Sequence, residues 1–421
     1  MAEMIKRSEG PAQAAILCGG LGTRLMPLTK DLPKPMVSAD GRPFLAHLLD
    51  QLKENGIQKA VLMTGYLGEH IQSHFGDGEG YGIQLEYSHG PKDWDTGRRL
   101  WEARELLDEE FMLLYGDNFA SFRMDRMLDF HQRGGRPLSL TVHPKAPGNI
   151  LLSADGTVEI YDKNRGTGGA DLVELGYMLT GQRVFDAYGE DKDISFSEIL
   201  RRLVAERQVG GFLIEDAYHS ISDPERLALT ERYLRPKKEL LIDRDGVINK
   251  KAARGCYVES WDDFEFLEDN IEAMQKLAKD GFRFSVITNQ AGIGRGVMSL
   301  ESVENIHKRM IQALADRGIR IDAVYMCPHH WEDDCKCRKP KPGLLFKAAR
   351  ERLLRLDRTF YIGDDPRDCQ AAYNAGCEAL YLGSSSDLEE LDLQVRTGLV
   401  FPGLLQALPT LRDHDHFKDA L

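Results

Sequence analysis

The stretch LLIDRDGVINK, residues 240–250, runs three apolar residues into Asp243, then Asp245, then a glycine that lets the chain turn away. An apolar run of strand length has to be buried, and its tip is where a polar side chain can still meet a ligand. A carboxylate placed there can attack phosphorus, and a second one two residues on can protonate the leaving oxygen and then activate water. The same pattern suits an Asp-Gly turn closing an ordinary strand, and this stretch alone leaves both readings open.

Three later stretches extend the pattern. FRFSVITNQAGIGRG (282–296) is an apolar strand ending in Thr288 and Asn289, whose hydroxyl and amide can hold a phosphoryl oxygen. CRKPKPG (337–343) supplies Arg338 and Lys339, charges able to neutralise phosphate in transfer. TFYIGDDPRD (359–368) ends a third strand in Asp364 and Asp365, hard oxygen ligands of the kind Mg²⁺ takes. In this order the four stretches resemble the motifs of the haloacid dehalogenase phosphatase superfamily. With CYVESWDDFEF (256–266) and CPHHWEDDCKCRKPKPG (327–343) added, residues 240 to about 383 resemble the heptose 1,7-bisphosphate 7-phosphatases, with histidinol phosphatases as their nearest relatives. The resemblance implies Asp243 as nucleophile, Asp245 as general acid and base, and Lys339 as a catalytic charge. It implies Thr288, Asn289, Arg295 and Arg338 as phosphoryl and substrate ligands. Mg²⁺ would be held by the Asp243 and Asp364 carboxylates and the Asp245 backbone carbonyl. Asp365 stands where the family often has lysine, so its role is open.

Three of the seven cysteines and two of the twelve histidines fall within residues 327–337. Cys327, His329, Cys335 and Cys337 form two close ligand pairs separated by a short turn, a spacing suited to closed, tetrahedral, structural Zn²⁺. Such an ion would pin the loop carrying Arg338 and Lys339. His330 is the weaker alternative ligand, because the family pattern selects the histidine two after the cysteine. Cys18, Cys256, Cys369 and Cys377 read as ordinary thiols.

A second chemistry begins near the start. LCGGLGTRLMPLTKDLPKPM (17–36) sets a glycine-rich loop after an apolar strand, where backbone N–H groups can approach phosphates and cations can offset the charge of a pyrophosphate leaving group. The string G-G-x-G-T-R-L with a downstream P-K-P resembles the signature of sugar-1-phosphate nucleotidyltransferases. VLMTGYLGEHI, FMLLYGDN, VEIYDK and VELGYML are similar to that family's later elements, over residues 12 to about 230. The resemblance implies that Gly19, Gly20, Gly22, Thr23, Arg24 and Lys34 cradle a nucleoside triphosphate, that Asp117 holds Mg²⁺, and that Lys163 and Gly176 line a sugar-phosphate pocket. A sugar phosphate oxygen would then attack the α-phosphorus in line. Two stretches depart from the family: YHSISDPERL has Ser220 at the place of a second metal aspartate, with Asp216 and Asp223 nearby, and WDTGRRL has Arg98 and Arg99 where Gly and Ala are expected.

Apolar strands alternate with amphipathic helical stretches almost throughout, predicting an α/β class with mostly parallel sheets. Two Rossmann-like domains are expected: residues 1–235, a nucleotidyltransferase (GT-A-like) domain, and residues 236–385, a haloacid dehalogenase-like domain with a zinc loop. Residues 386–421 are expected as a tail for docking or oligomerisation. The chain of 421 residues, 42% hydrophobic, has no 18-residue apolar run to cross a membrane, and its net charge of −13 argues against non-specific nucleic-acid binding. An odd number of scattered cysteines fits a reducing cytosol, and the N-terminus MAEMIKRSEGPAQAAILCGG lacks the apolar core of a secretory signal, so a cytoplasmic protein is expected. The expected partners are sugar phosphates and a nucleoside triphosphate; nothing in the sequence specifies an oligomeric state. Joined, the two resemblances imply consecutive steps of nucleotide-activated heptose synthesis, with guanosine triphosphate as the preferred donor. The alternative is a histidinol-phosphate or other sugar-phosphate phosphatase carrying a non-catalytic nucleotide-binding regulatory domain.

Overall fold

A computed structural model describes residues 10–253 and 255–418; the first nine residues of the N-terminal stretch read for a targeting signal lie outside them. The chain forms two compact units, dividing between Leu234 and Arg235. No helix among the described residues is long and apolar enough to cross a membrane.

In the first unit the buried strand Gln13–Cys18 lies parallel between Lys59–Thr64 and Glu110–Tyr115, and Gln84–His89 pairs parallel beyond Lys59–Thr64. The long strand Leu172–Gly181 pairs antiparallel with Glu110–Tyr115, extending a nine-stranded mixed sheet. The glycine-rich loop therefore leaves the carboxyl end of a central strand, beside the end of the strand that delivers Asp117. A separate two-stranded ladder joins Asn118–Ala120 to Tyr218–Ser220, which brings the late YHSIS stretch against the residues that follow Asp117.

The second unit has one six-stranded sheet, parallel throughout, in the order Ile321–Cys327, Arg283–Asn289, Glu239–Ile242, Phe360–Gly363, Glu378–Leu382, Val400–Phe401. Strand order reverses about Glu239–Ile242, and ligands in open α/β sheets bind in the crevice at such a switch point, outside the carboxyl ends of the strands. Asp243 and Asp245 leave the sheet there, between Thr288–Asn289 on one side and Asp364 on the other.

Residues 386–418 differ from the separate tail expected for 386–421, whose last three positions lie outside the described residues. Val400–Phe401 adds the edge strand, and the helix Leu404–Asp413 buries Leu404, Ala407, Leu408 and Leu411 in the same core as Ile271 and Met274. The spacing i, i+3, i+4, i+7 makes one apolar stripe, and the sheet face offers it a place to be buried. Phe417 continues the contact, its ring 4.9 Å from Phe282.

Candidate active sites

Asp243 is buried at the switch point, and its Oδ2 lies 2.9 Å from the ammonium of Lys339. That ammonium also lies 2.7 Å from Asp368 Oδ1 and donates to Tyr361 Oη at 2.8 Å, while Tyr361 donates to Asp368 at 3.0 Å. Lys339 is thus fixed from four sides, counting the Ile287 carbonyl at 3.3 Å. Its backbone is clamped to Asn289, which receives the Lys339 N–H at 3.1 Å and donates to its carbonyl at 3.2 Å. Burial pushes the Asp243 carboxyl up and Lys339 pulls it down; the net direction is up.

Asp245 lines the same small pocket as this pair. Arg244, only 1% exposed, turns back onto the Asp245 carboxylate with two Nη2 contacts of 2.9 Å, and Asn249 and Gln290 each donate to it at 2.9 Å. Burial raises the Asp245 pKa, but these donors outweigh it and hold the group below the usual carboxylate range. On its other side Arg244 Nη1 meets the His307 ring at 3.0 Å. Burial and the neighbouring guanidinium push His307 down to about 4, so it is a neutral acceptor.

The carboxylates of Asp243, Asp364 and Asp368 come within 4.8 Å of one another. Asp364 Oδ1 is buried without a hydrogen-bond partner, and its Oδ2 faces Lys251 at 2.7 Å. An unpartnered oxygen in a set of hard donors fits a divalent cation. Gly246, with φ of 91°, passes so close that a Cβ there would meet Asp364 Oδ2 at 1.9 Å. Asp365 stays out of the set. It caps the helix Pro366–Ala375, accepts from the Arg367 backbone at 3.0 Å and pairs with the Arg367 guanidinium at 2.7 Å. Asp368, Lys251, Arg244, Gln290 and Tyr361 were not among the residues expected from sequence. Asp368 had a signal in the D-D-x-x-D spacing that sets one turn of helix after the strand; the others are assembled by the fold.

Thr288 and Asn289 line a pocket of about 100 Å³ with Asp243, Lys339 and Lys251. Arg338 and Arg295 are not among its lining residues. Arg338 has Nη1 buried without a partner. Arg295 is exposed, donating to Tyr257 Oη at 3.2 Å with its guanidinium 5.2 Å from the Trp331 ring centroid.

Cys327, His329, Cys335 and Cys337 converge as the spacing requires. Adjacent ligand atoms are separated by 3.6, 3.6, 3.1 and 3.5 Å, and a tetrahedron with metal–sulfur arms of about 2.3 Å has edges of roughly 3.8 Å. The cluster sits one residue before Arg338 and two before Lys339. The Gln290 and Gly294 N–H groups donate to the Cys327 and Pro328 carbonyls at 2.8 Å, tying the loop to the end of the Thr288 strand.

In the first unit Lys34 meets Asp117 at 2.5 Å. Gly22, with φ of 62°, turns the loop, and Thr23 and Arg24 are exposed beyond it. Gly20 has open space where a Cβ would stand, whereas one on Gly19 would strike the Arg99 guanidinium at 2.4 Å. That guanidinium is buried and donates to the Thr64 and Pro91 carbonyls at 2.7 and 2.6 Å, so Arg99 claims the volume that Gly and Ala would leave empty. Gly176, with φ of 82°, packs on Tyr115, which a Cβ would meet at 2.5 Å, and Lys163 is exposed. Ser220 lies beside Ser222 and Arg226, each at 3.2 Å. Asp223 caps the following helix through the Arg226 N–H at 2.9 Å, and Asp216 accepts from the Ala217 N–H at 2.7 Å. Among the described residues, no group of three metal-ligating side chains includes Asp117.

Residues 13–150 match the family model described as nucleotidyl transferase, and residues 240–378 match that described as polynucleotide kinase 3 phosphatase. Over 140 residues, 32% of this chain and 73% of the relative, the sequence is 41% identical to the D-glycero-beta-D-manno-heptose-1,7-bisphosphate 7-phosphatase of Photorhabdus laumondii. The chain belongs to this phosphatase family. The crystal structure of the D,D-heptose 1,7-bisphosphate phosphatase of B. bronchiseptica, complexed with magnesium and phosphate, shares 32% identity, covering 41% of this chain and 97% of that one, with a TM-score of 0.38. HddC from Yersinia pseudotuberculosis shares 21% identity, covering 52% of this chain and 97% of that one, with a TM-score of 0.45. The heptose-bisphosphate-phosphatase-like unit is thus fused to an N-terminal nucleotidyltransferase-like unit.

Proposed function

We infer that the chain is a bifunctional enzyme of nucleotide-activated heptose synthesis. Its second unit removes the C7 phosphate from D-glycero-D-manno-heptose 1,7-bisphosphate. Its first unit transfers a nucleotidyl group, guanylyl by preference, to the heptose 1-phosphate left behind. The observation that carries this reading is the buried Asp243 beside Lys339 at the switch point of a phosphatase-family sheet, because a carboxylate there can reach phosphorus while water is held off.

In the first step an Asp243 oxygen attacks phosphorus and the bond to the sugar oxygen breaks, that oxygen taking a proton from Asp245. Water then attacks the aspartyl-phosphate, yields its proton to Asp245, and the bond from Asp243 to phosphorus breaks to release phosphate. The Arg244, Asn249 and Gln290 contacts keep Asp245 oriented for both proton transfers. Lys339 and the Thr288 hydroxyl face the transferring group. Mg²⁺ bound by Asp243, Asp364 and the Asp245 carbonyl, with Asp368 behind them, would neutralise phosphoryl charge. Zn²⁺ at the Cys₃His cluster would hold Arg338 and Lys339 in place, and the unpartnered Arg338 Nη1 is available to a substrate phosphate.

In the first unit the triphosphate would lie along Gly20, Gly22 and Arg24, with Lys34 on the leaving pyrophosphate and Mg²⁺ at Asp117. A second reading, in which this unit binds nucleotide without turnover, is favoured by one observation: Ser220, set against Arg226, stands where a second metal carboxylate is expected.

The deciding experiment gives the full chain heptose 1,7-bisphosphate, Mg²⁺ and each nucleoside triphosphate, and follows phosphate, pyrophosphate and nucleotide-diphosphate heptose. The wild type should form the activated sugar without added enzymes. Asp243→Asn should do so only from heptose 1-phosphate, and product made by Asp243→Asn from the bisphosphate would overturn the order of steps. Binding of triphosphate without pyrophosphate release from any sugar 1-phosphate would favour the second reading.

A further inference from the structure

Far from the phosphatase site in its own unit, Glu378, His414 and His416 place one potential ligand atom each within 4.8 Å of the others. Glu378 opens the strand Glu378–Leu382, and Phe360, whose ring packs on both histidines, opens Phe360–Gly363. The cluster therefore lies at the amino ends of these strands, whereas Asp364 leaves the carboxyl end. His414 Nδ1 accepts the His416 backbone N–H at 3.3 Å, which leaves Nε2 facing Glu378 Oε2 at 3.7 Å. The two imidazole rings are 4.3 Å apart at their centroids, and His416 Nδ1 is buried without a hydrogen-bond partner. A buried nitrogen without a partner is unfavourable unless a ligand completes it.

We propose that Glu378, His414 and His416 form a second transition-metal site, distinct from the cysteine cluster, that takes Zn²⁺ or a similar divalent ion and fastens the C-terminal segment to the lower edge of the sheet. Two imidazoles and a carboxylate are the donor set of three-ligand zinc sites, with a fourth position left to water. With an ion on Nε2 the His414 ring proton would sit on Nδ1, so binding would give up the 3.3 Å contact from the His416 N–H. Phe417, buried between Phe282 and Phe360, anchors the segment on which His416 lies. Arg355 and Arg358 lie near His416, Asp357 pairs with Arg355 at 2.5 Å, and the set offers three protein ligands rather than four. The site therefore binds more weakly than the four-ligand cluster.

The test is equilibrium dialysis of the full chain against Zn²⁺ with excess Mg²⁺ to occupy the acidic site, paired with anomalous diffraction at the zinc edge. Wild type should hold about two equivalents, one for each ligand set. The double variant His414→Ala, His416→Ala should hold one fewer, and Cys335→Ser should keep the weaker one. Glu378→Gln, on an exposed side chain, should weaken that equivalent about tenfold or more, in line with loss of one ligand. Loss of the weaker equivalent should also expose the C-terminal helix to limited proteolysis. Equal zinc content in wild type and the double variant, or no anomalous peak beside His414 at a concentration that fills the cysteine cluster, would overturn the proposal.

Discussion

The Lys339 ammonium lies 2.7 Å from Asp368 Oδ1, both groups almost wholly buried, and through this pair a helix residue sets the position of the charge beside Asp243. Asp368→Asn should lower kcat for phosphate release by about 10- to 100-fold with little change in KM, the range typical for a group that orients a catalytic ligand. Tyr361→Phe removes the hydroxyl that accepts from Lys339 and donates to Asp368, and should cost about tenfold. Steady-state kinetics on a sugar bisphosphate checks both. A full-rate Asp368→Asn would mean that Lys339 is placed by its backbone clamp alone.

Arg244 and Asp245 make a different prediction, about stability. Asp245→Asn leaves the Arg244 guanidinium buried with neutral His307 and no counter-ion. The loss should be about 3 kcal/mol, at the low end for breaking a buried pair because Asp245 itself is 26% exposed. Asp243→Asn should cost much less, since Lys339 keeps Asp368. Urea unfolding of the two variants, followed in the second unit, distinguishes them.

Removing a cluster ligand should uncouple the two activities. Cys335→Ser, or treatment with a strong chelator followed by Mg²⁺, should abolish most phosphate release and lower the melting temperature of the second unit. Pyrophosphate release by the first unit should persist. An unchanged phosphatase in metal-stripped protein would show that the loop holds Lys339 without the ion.

Burial pushes Glu174 up to about 7, against the opposing hydrogen bonds of Tyr115 and Tyr161. In the unfolded chain a glutamate ionises near its ordinary value of about 4.3. Between the two values the folded state keeps a proton that the unfolded state has lost, so the contribution of this group to stability falls as pH rises through that window. Glu174→Gln removes the slope. Its stability relative to wild type should grow from near zero at pH 4 to on the order of 1–3 kcal/mol at pH 8, read from thermal unfolding across pH.

Lys34→Ala and Asp117→Ala each break the 2.5 Å pair at the glycine-rich loop. If the first unit turns over, both should lose pyrophosphate release by about 10²-fold or more, as removal of one preorganised charge does, and phosphate release should stay at the wild-type level.

Much of this protein could be read from its residues because the informative groups are covalently next to the structure that places them. Asp243, Thr288 and Asp364 each end an apolar run, and a parallel sheet brings such strand tips to one edge. Cys327, His329, Cys335 and Cys337 span eleven residues, so local spacing alone nearly fixes the ligand set. The tertiary structure decided what depends on distant chain segments meeting. It made Asp368 rather than Asp365 the third carboxylate of the site: the two share one capping box, but Asp368 Oδ1 is left facing Lys339 while Asp365 pairs with Arg367. It paired buried Arg244 with Asp245 and neutral His307, 63 positions apart from Arg244. It drew residues 400–413 into the sheet and core, because an apolar stripe reveals that it must be buried and not against what. It brought Glu378 to His414 and His416, separated by more than thirty residues of chain. Side chains at a strand tip inherit their position from hydrophobic burial, which sequence patterning records; partners recruited across the fold are chosen by packing, which it does not.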